Sequence, residues 1–156
     1  MEREKVKKIL LYCRDIDGAI KYNAKVIKDY EDAYYSAGGG GTLDGMPKSK
    51  YKTSSPTEAV ALNVPDFVRG EIAALQERNE RLAKLKAAIL QEINQLSLPQ
   101  KNVLYDFYIR GLQWVQISAR IHYSPTQCKK IRNRGLDSLA KHFTINPLIQ
   151  NFNYPN

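Results

Sequence analysis

The sequence predicts an all-α protein: a long antiparallel helical hairpin, coiled-coil-like, followed by a C-terminal three-helix domain of helix-turn-helix type. Three observations carry that expectation. Apolar residues recur at alternating steps of three and four through residues 4–35 and again through residues 65–96, the spacing of a heptad seam. A Gly-, Pro- and Ser-rich stretch separates the two runs. Residues 97–143 break into three shorter helical patterns, each with its own start and stop signal. The division that follows is residues 1–35 for the first long helix, 36–57 for a flexible loop, 58–96 for the second long helix, 97–143 for the three-helix domain and 144–156 for a tail. At 156 residues this is enough chain for a modest core and too little for a large enzyme cleft.

In the first helix Val6, Ile9, Cys13, Ile16, Ile20, Ile27, Tyr30 and Tyr34 line one seam, about 45 Å long, broken at Asn23. Residues 36–57 hold five Gly and two Pro, so ordering that backbone costs more entropy than its side chains can offset by burial. The second helix opens at Pro65 or Asp66 and keeps Ile72, Leu75, Leu82, Ile89, Ile93 and Leu96 in one phase, interrupted at Asn79 and Lys86. An antiparallel hairpin fits this pattern, and so do separate helices that pair with other chains. In the hairpin, Asn23 and Asn79 fall opposite one another, where their amides either hydrogen-bond and fix register or face water.

In residues 97–143, Ser97, Leu98 and Pro99 open the first helix, with proline in the first turn, where its missing N–H has no cost. Its apolar face is Val103, Leu104, Phe107 and Tyr108, and Gly111 closes it. Residues 113–121 form a short second helix with Trp114, Ile117 and Ile121 inward. In "SPTQ", Ser124 caps the third helix, Pro125 takes the first helical position, and Gln127 completes a capping box. Wound at about 100° per residue, that helix gathers Cys128, Ile131, Gly135, Leu136, Leu139 and Phe143 on one side. Thr126, Lys130, Asn133 and Asp137 lie opposite, with Gln127, Lys129 and Arg134 on the flanks. Arg132 falls near the apolar side, where it either snorkels to a phosphate or pairs with an acid.

The net charge of +8 is concentrated. Residues 97–143 hold eight Lys and Arg against two acids, whereas residues 63–96 balance five against five. Such a patch marks a polyanion partner, either nucleic acid or an anionic membrane, and on this helix the polar types suit DNA: Gln and Asn pair with adenine edges, Lys and Arg with guanine edges or phosphates. The plain alternative is a solvated basic face on a helical interaction module.

Other functions find little purchase. No run approaches the roughly 20 apolar residues of a membrane span, so a soluble, cytoplasmic protein with no membrane role is expected. Cys13 and Cys128 fall at apolar phases and read as reduced core residues, and two histidines make no metal cluster, so neither metal nor cofactor is expected. With no phosphate loop, no nucleophile beside a plausible base and no isolated acid pair, an enzyme is not expected. Tyr30, Tyr34, Tyr35 and Tyr51 either stack on bases or, by preference, close the end of the hairpin.

The ordered residues Leu104, Tyr108, Ile109, Gly111, Trp114, Ile117, "HYS" at 122–124, Gln127, Ile131 and "GL" at 135–136 resemble the C-terminal region of phage-encoded RinA-like and ArpU-like transcriptional regulators, which are similar to region 4 of sigma-70 factors. The upstream heptads and "GMP" at 45–47 look like that phage family too, so the resemblance spans nearly the whole chain. It implies that the third helix reads DNA through Thr126, Gln127, Lys129, Lys130, Asn133 and Arg134. Three positions depart from the pattern: Ser118 stands where Ala is usual, His122 where Gly is common, and Arg132 where His is frequent. The function so implied is a regulator in a bacterial host that binds double-stranded DNA and activates late packaging or lysis genes, its hairpin either arranging protomers, with a homodimer favoured by the two heptad helices, or touching RNA polymerase. A small-terminase-like packaging protein and a protein-binding adaptor are the alternatives. The uncharged tail, with Pro147 near its start, is compatible with packing, disorder or partner binding.

Overall fold

The structure is a computed structural model that describes residues 1–35 and 64–156. The expected flexible loop at 36–57, the start of the second long helix at 58–63, and Tyr51 lie outside the described residues. Among those described, all regular structure is helical. Helix α1 spans Arg3–Tyr30 and ends in a π-helical turn, Glu31–Tyr35; α2 spans Asp66–Asn94. Helix α3, Leu98–Leu104, runs into a second π-helical turn, Tyr105–Ile109, and is followed by α4 (Trp114–Ile121), α5 (Pro125–Ile145) and the short α6 (Pro147–Gln150). Two compact units divide the chain inside both long helices: one comprises Met1–Gly18 with Arg81–Asn156, the other Ala19–Glu80.

The smaller unit is organised around a buried cluster of Val64, Val68 and Ile72, against which Ile27, Tyr30, Tyr34 and Tyr35 pack. The three tyrosines therefore serve this apolar contact. At its other end Asn23 Nδ2 donates to Asn79 Oδ1 at 2.9 Å, and Asn79 Nδ2 donates to the Ile20 carbonyl at 3.3 Å. The two asparagine breaks in the heptad seams thus answer each other. A half-buried amide costs about 1–3 kcal/mol when left unpaired, so one register that pairs both is favoured over its neighbours.

The larger unit buries Val6, Ile9, Leu10, Cys13 and Ile16 of α1. From α2 it buries Leu82, Leu85, Ala88, Ile89 and Ile93. The heptad reading omits Leu10, Leu85 and Ala88. A two-position seam serves one neighbour, but these helices meet several, and the wider face takes the adjoining positions. Asp17 and Lys86 pair across this unit at 2.6 Å, so the lysine that interrupts the second seam has an acid beside it. The tail packs in this unit: Phe152 and Tyr154 stand 5.8 and 5.6 Å from the Tyr12 ring, and Tyr154 Oη donates to the Ile149 carbonyl at 2.8 Å. Asn146 caps α6 and reaches back to α2, donating to Glu92 Oε1 at 2.7 Å.

Helix α5 is seated on α3 by a close approach at Gly135. A Cβ there would lie 2.8 Å from Leu104 Cδ1 and 3.3 Å from Leu104 Cγ, and Leu104 is fully buried. Only glycine lets the two helices come this near. Val103, Ile117, Cys128 and Ile131 form the adjoining core, with Phe107, Leu112, Trp114 and Ile121 around it.

Candidate nucleic-acid interface

Two turns position α5. The chain leaves the α3 region at Gly111, whose φ of 69° is accessible to glycine without strain. The side chains of Gln113 and Gln116 then form a capping box at the start of α4, with the Gln113 N–H donating to Gln116 Oε1 at 2.9 Å. His122 ends α4 in the left-handed conformation, φ 60°, and its N–H donates to the Ser118 carbonyl at 3.0 Å. The Ser118 hydroxyl donates to the Tyr123 carbonyl. Ser118 and His122 together satisfy the turn: serine supplies a hydrogen bond that alanine would lack, and histidine tolerates a left-handed backbone better than most residues.

Helix α5 begins as its sequence requires. Ser124 Oγ accepts from the Gln127 N–H at 3.1 Å, and Pro125 occupies the first turn. The reciprocal box expected at Ser124 and Gln127 is represented by this first bond, and the complete capping box stands at the start of α4, between Gln113 and Gln116. The buried residues of α5 are Cys128, Ile131, Gly135, Leu136, Leu139 and Phe143, the set that winding at about 100° per residue turns inward.

The six predicted site residues share the first half of α5. Thr126, Lys129, Lys130 and Arg134 are exposed; Gln127 and Asn133 are half-buried. Among the described residues no ion pair engages Lys129, Lys130 or Arg134. Their charges remain available to an external anion. Asp137, the acid on the same face, is exposed and is paired from α1: Arg3 Nε and Nη2 donate to its two carboxylate oxygens at 2.5 and 2.6 Å. Those bonds hold the Asp137 carboxyl below its ordinary pKa. The face thus keeps its cations and has its acid neutralised.

Other cations of this region have internal duties that the sequence did not reveal. Asp106 is only 5 % exposed, and Arg120 and Arg110 lie 3.1 and 3.6 Å from its carboxylate oxygens. The i,i+4 spacing of Asp106 and Arg110 was the available signal. Among the described residues Arg132 meets no acid: its guanidinium carbon lies 5.1 Å from the centre of the Trp114 ring and 5.9 Å from that of Phe107, and its Nε donates to Asn133 Oδ1 at 3.2 Å. A long cationic side chain can lie flat on aromatic rings instead of snorkelling past them, because the ring faces carry partial negative charge.

The remaining chemistry is sparse. Burial raises the thiol of Cys13 to about 11 and pushes that of Cys128 up as well, so both are poor nucleophiles. Among the described residues no group of His, Cys, Asp and Glu could hold a metal ion, and no helix is long and apolar enough to cross a membrane. A groove of about 530 Å³ opens beside Lys101, Tyr105, Asp106, Arg110 and Arg120. No family model, curated protein or solved structure matches the chain.

Proposed function

We propose that this protein is a DNA-binding regulator of transcription that places α5 in the major groove as the recognition helix of a helix-turn-helix, with α4 as its support. The observation that carries the reading is the outward face of α5: Lys129, Lys130 and Arg134 with no ion pair among the described residues, polar Thr126, Gln127 and Asn133 between them, and Asp137 paired with Arg3. A solvated surface helix commonly mixes both signs; a face whose acid is masked and whose cations are free suits a polyanion. The π-helical turn, Gly111, the capping box and the left-handed His122 aim that face outward without using its side chains.

The rest of the proposal follows the family resemblance. The two long helices form an antiparallel hairpin, a reading supported by the Asn23–Asn79 bond, and the hairpin pairs protomers into a dimer or contacts RNA polymerase. The protein acts in the cytoplasm of a bacterial host, encoded by a phage or integrated element, on late packaging or lysis genes, and its action is non-catalytic. A small-terminase-like role, with recognition of a packaging site, is the second reading, because it needs the same DNA-binding face.

Sheared DNA from the replicon that encodes the protein, captured by it near physiological salt and sequenced, separates these. Enrichment upstream of a late operon is the expected result. Enrichment at a packaging start would favour the terminase reading, and none at any salt would remove DNA from the account.

A further inference from the structure

Asn133 stands on the outward face of α5, and one hydrogen bond orients its amide. Arg132 Nε, a group that only donates, lies 3.2 Å from Asn133 Oδ1, so the oxygen end of the amide must face the guanidinium. Arg132 is itself held: its guanidinium lies against Trp114, which stacks on Phe107 with ring centres 4.3 Å apart and planes 15° from parallel. Oxygen and nitrogen diverge from the amide carbon, so Nδ2 is turned away from Arg132, and it makes no hydrogen bond among the described residues. Asn133 is therefore presented to the outside as a donor.

That orientation changes what it can read. An unconstrained Asn recognises adenine by accepting from N6 while donating to N7, which requires both ends of the amide. Here the oxygen is turned to Arg132, with one of its two lone pairs engaged, and the NH2 group is the end that has no partner among the described residues. Guanine shows two acceptors, O6 and N7, in the major groove and no donor, so it suits an outward NH2 group; cytosine, which shows a donor, does not. Lys130, one turn earlier on the same face, is also a pure donor. We propose that Asn133, oriented by Arg132 on the Trp114–Phe107 stack, reads a guanine, with Arg132 as a positioning residue. This rests on the DNA-binding reading above and specifies its base chemistry.

The test is selection of binding sites from a random duplex library by the full chain, by Asn133→Asp and by Arg132→Ala, each first checked for helical content. The wild type is expected to select a site with guanine at one position that responds to Asn133. Asn133→Asp, which can only accept, should lose that guanine in favour of cytosine and leave the other positions as they were. Arg132→Ala, which releases the amide, should shift the same position from guanine toward adenine. Adenine at that position in the wild-type site, or a site that Asn133→Asp leaves unchanged throughout, would overturn the inference while leaving DNA binding intact. A well-folded wild type that selects no site would instead overturn the DNA reading on which the inference rests.

Discussion

Replacing Gly135 by alanine measures how tightly α5 is held on α3, and through that how firmly its outward face is aimed. Two opposing effects decide the outcome. Glycine inside a helix is less favourable than alanine by about 1 kcal/mol, so the substitution alone should stabilise α5. The new Cβ, however, would stand 2.8 Å from Leu104 Cδ1 and 3.3 Å from Cγ, and Leu104 is fully buried. Overpacking of that kind costs about 1–3 kcal/mol, because a close-packed core has no free space into which Leu104 can retreat. The balance is a net loss of about 1 kcal/mol. In a Leu104→Ala background both clashing atoms are gone, and the nearest remaining neighbour, Gln100 Cβ at 3.5 Å, is at ordinary contact distance. There Gly135→Ala should gain about 1 kcal/mol, although Leu104→Ala itself costs about 2–5 kcal/mol. Urea unfolding of the four proteins, followed by circular dichroism, gives the cycle, and a coupling of about 1–3 kcal/mol is expected. If Gly135→Ala stabilises both backgrounds equally, the helices are not in the close contact described.

Further outcomes follow from the same geometry. Arg3→Ala should uncover the Asp137 carboxylate and weaken DNA binding most at low salt; Asp137→Asn in that background should restore it, as anisotropy titrations would show. Asp137 should titrate below the ordinary carboxylate range. The Arg3 contact is then complete above the ordinary pKa and is lost as pH falls through the lowered one, which a carboxyl NMR titration with and without Arg3→Ala would follow. Replacing Asn23 and Asn79 together by leucine should raise the melting temperature while loosening register or oligomeric state in light scattering; an unchanged state would remove the pair's registering role. Both thiols should resist a thiol reagent at about pH 8 until the protein unfolds, since burial holds them protonated.

The inward and outward faces of α5 were legible because helical winding is a local property, and each apolar residue that it turned inward is buried. The Asn23–Asn79 bond was legible for a different reason: each asparagine interrupts a heptad seam, and a polar break in one apolar seam is best satisfied by a polar break in another. What periodicity could not supply was the partner of a long side chain. Arg3 and Asp137 are 134 residues apart, and nothing in either neighbourhood points to the other. Arg132 has a Cβ direction that winding gives and a guanidinium that it does not, so its place on Trp114 needed the fold. The burial of Asp106 likewise depends on Arg120, brought in from the next helix. These tertiary contacts occupy Arg110, Arg120 and Arg132 within the protein and leave Lys129, Lys130 and Arg134 on the outward face of α5 without an ion pair among the described residues.

The account stands most directly on the salt dependence of DNA binding. Duplex affinity should be measured across a range of salt for the wild type and for Lys130→Ala/Arg134→Ala, both verified as folded. The account predicts a steep fall in wild-type affinity with salt. The double variant should bind more weakly, with a log–log slope shallower by up to about two if both residues meet phosphates, or with about 1–3 kcal/mol lost per base contact if they meet guanine. Equal affinity of the two proteins at every salt concentration would place the outward face of α5 outside the interface and contradict the central claim.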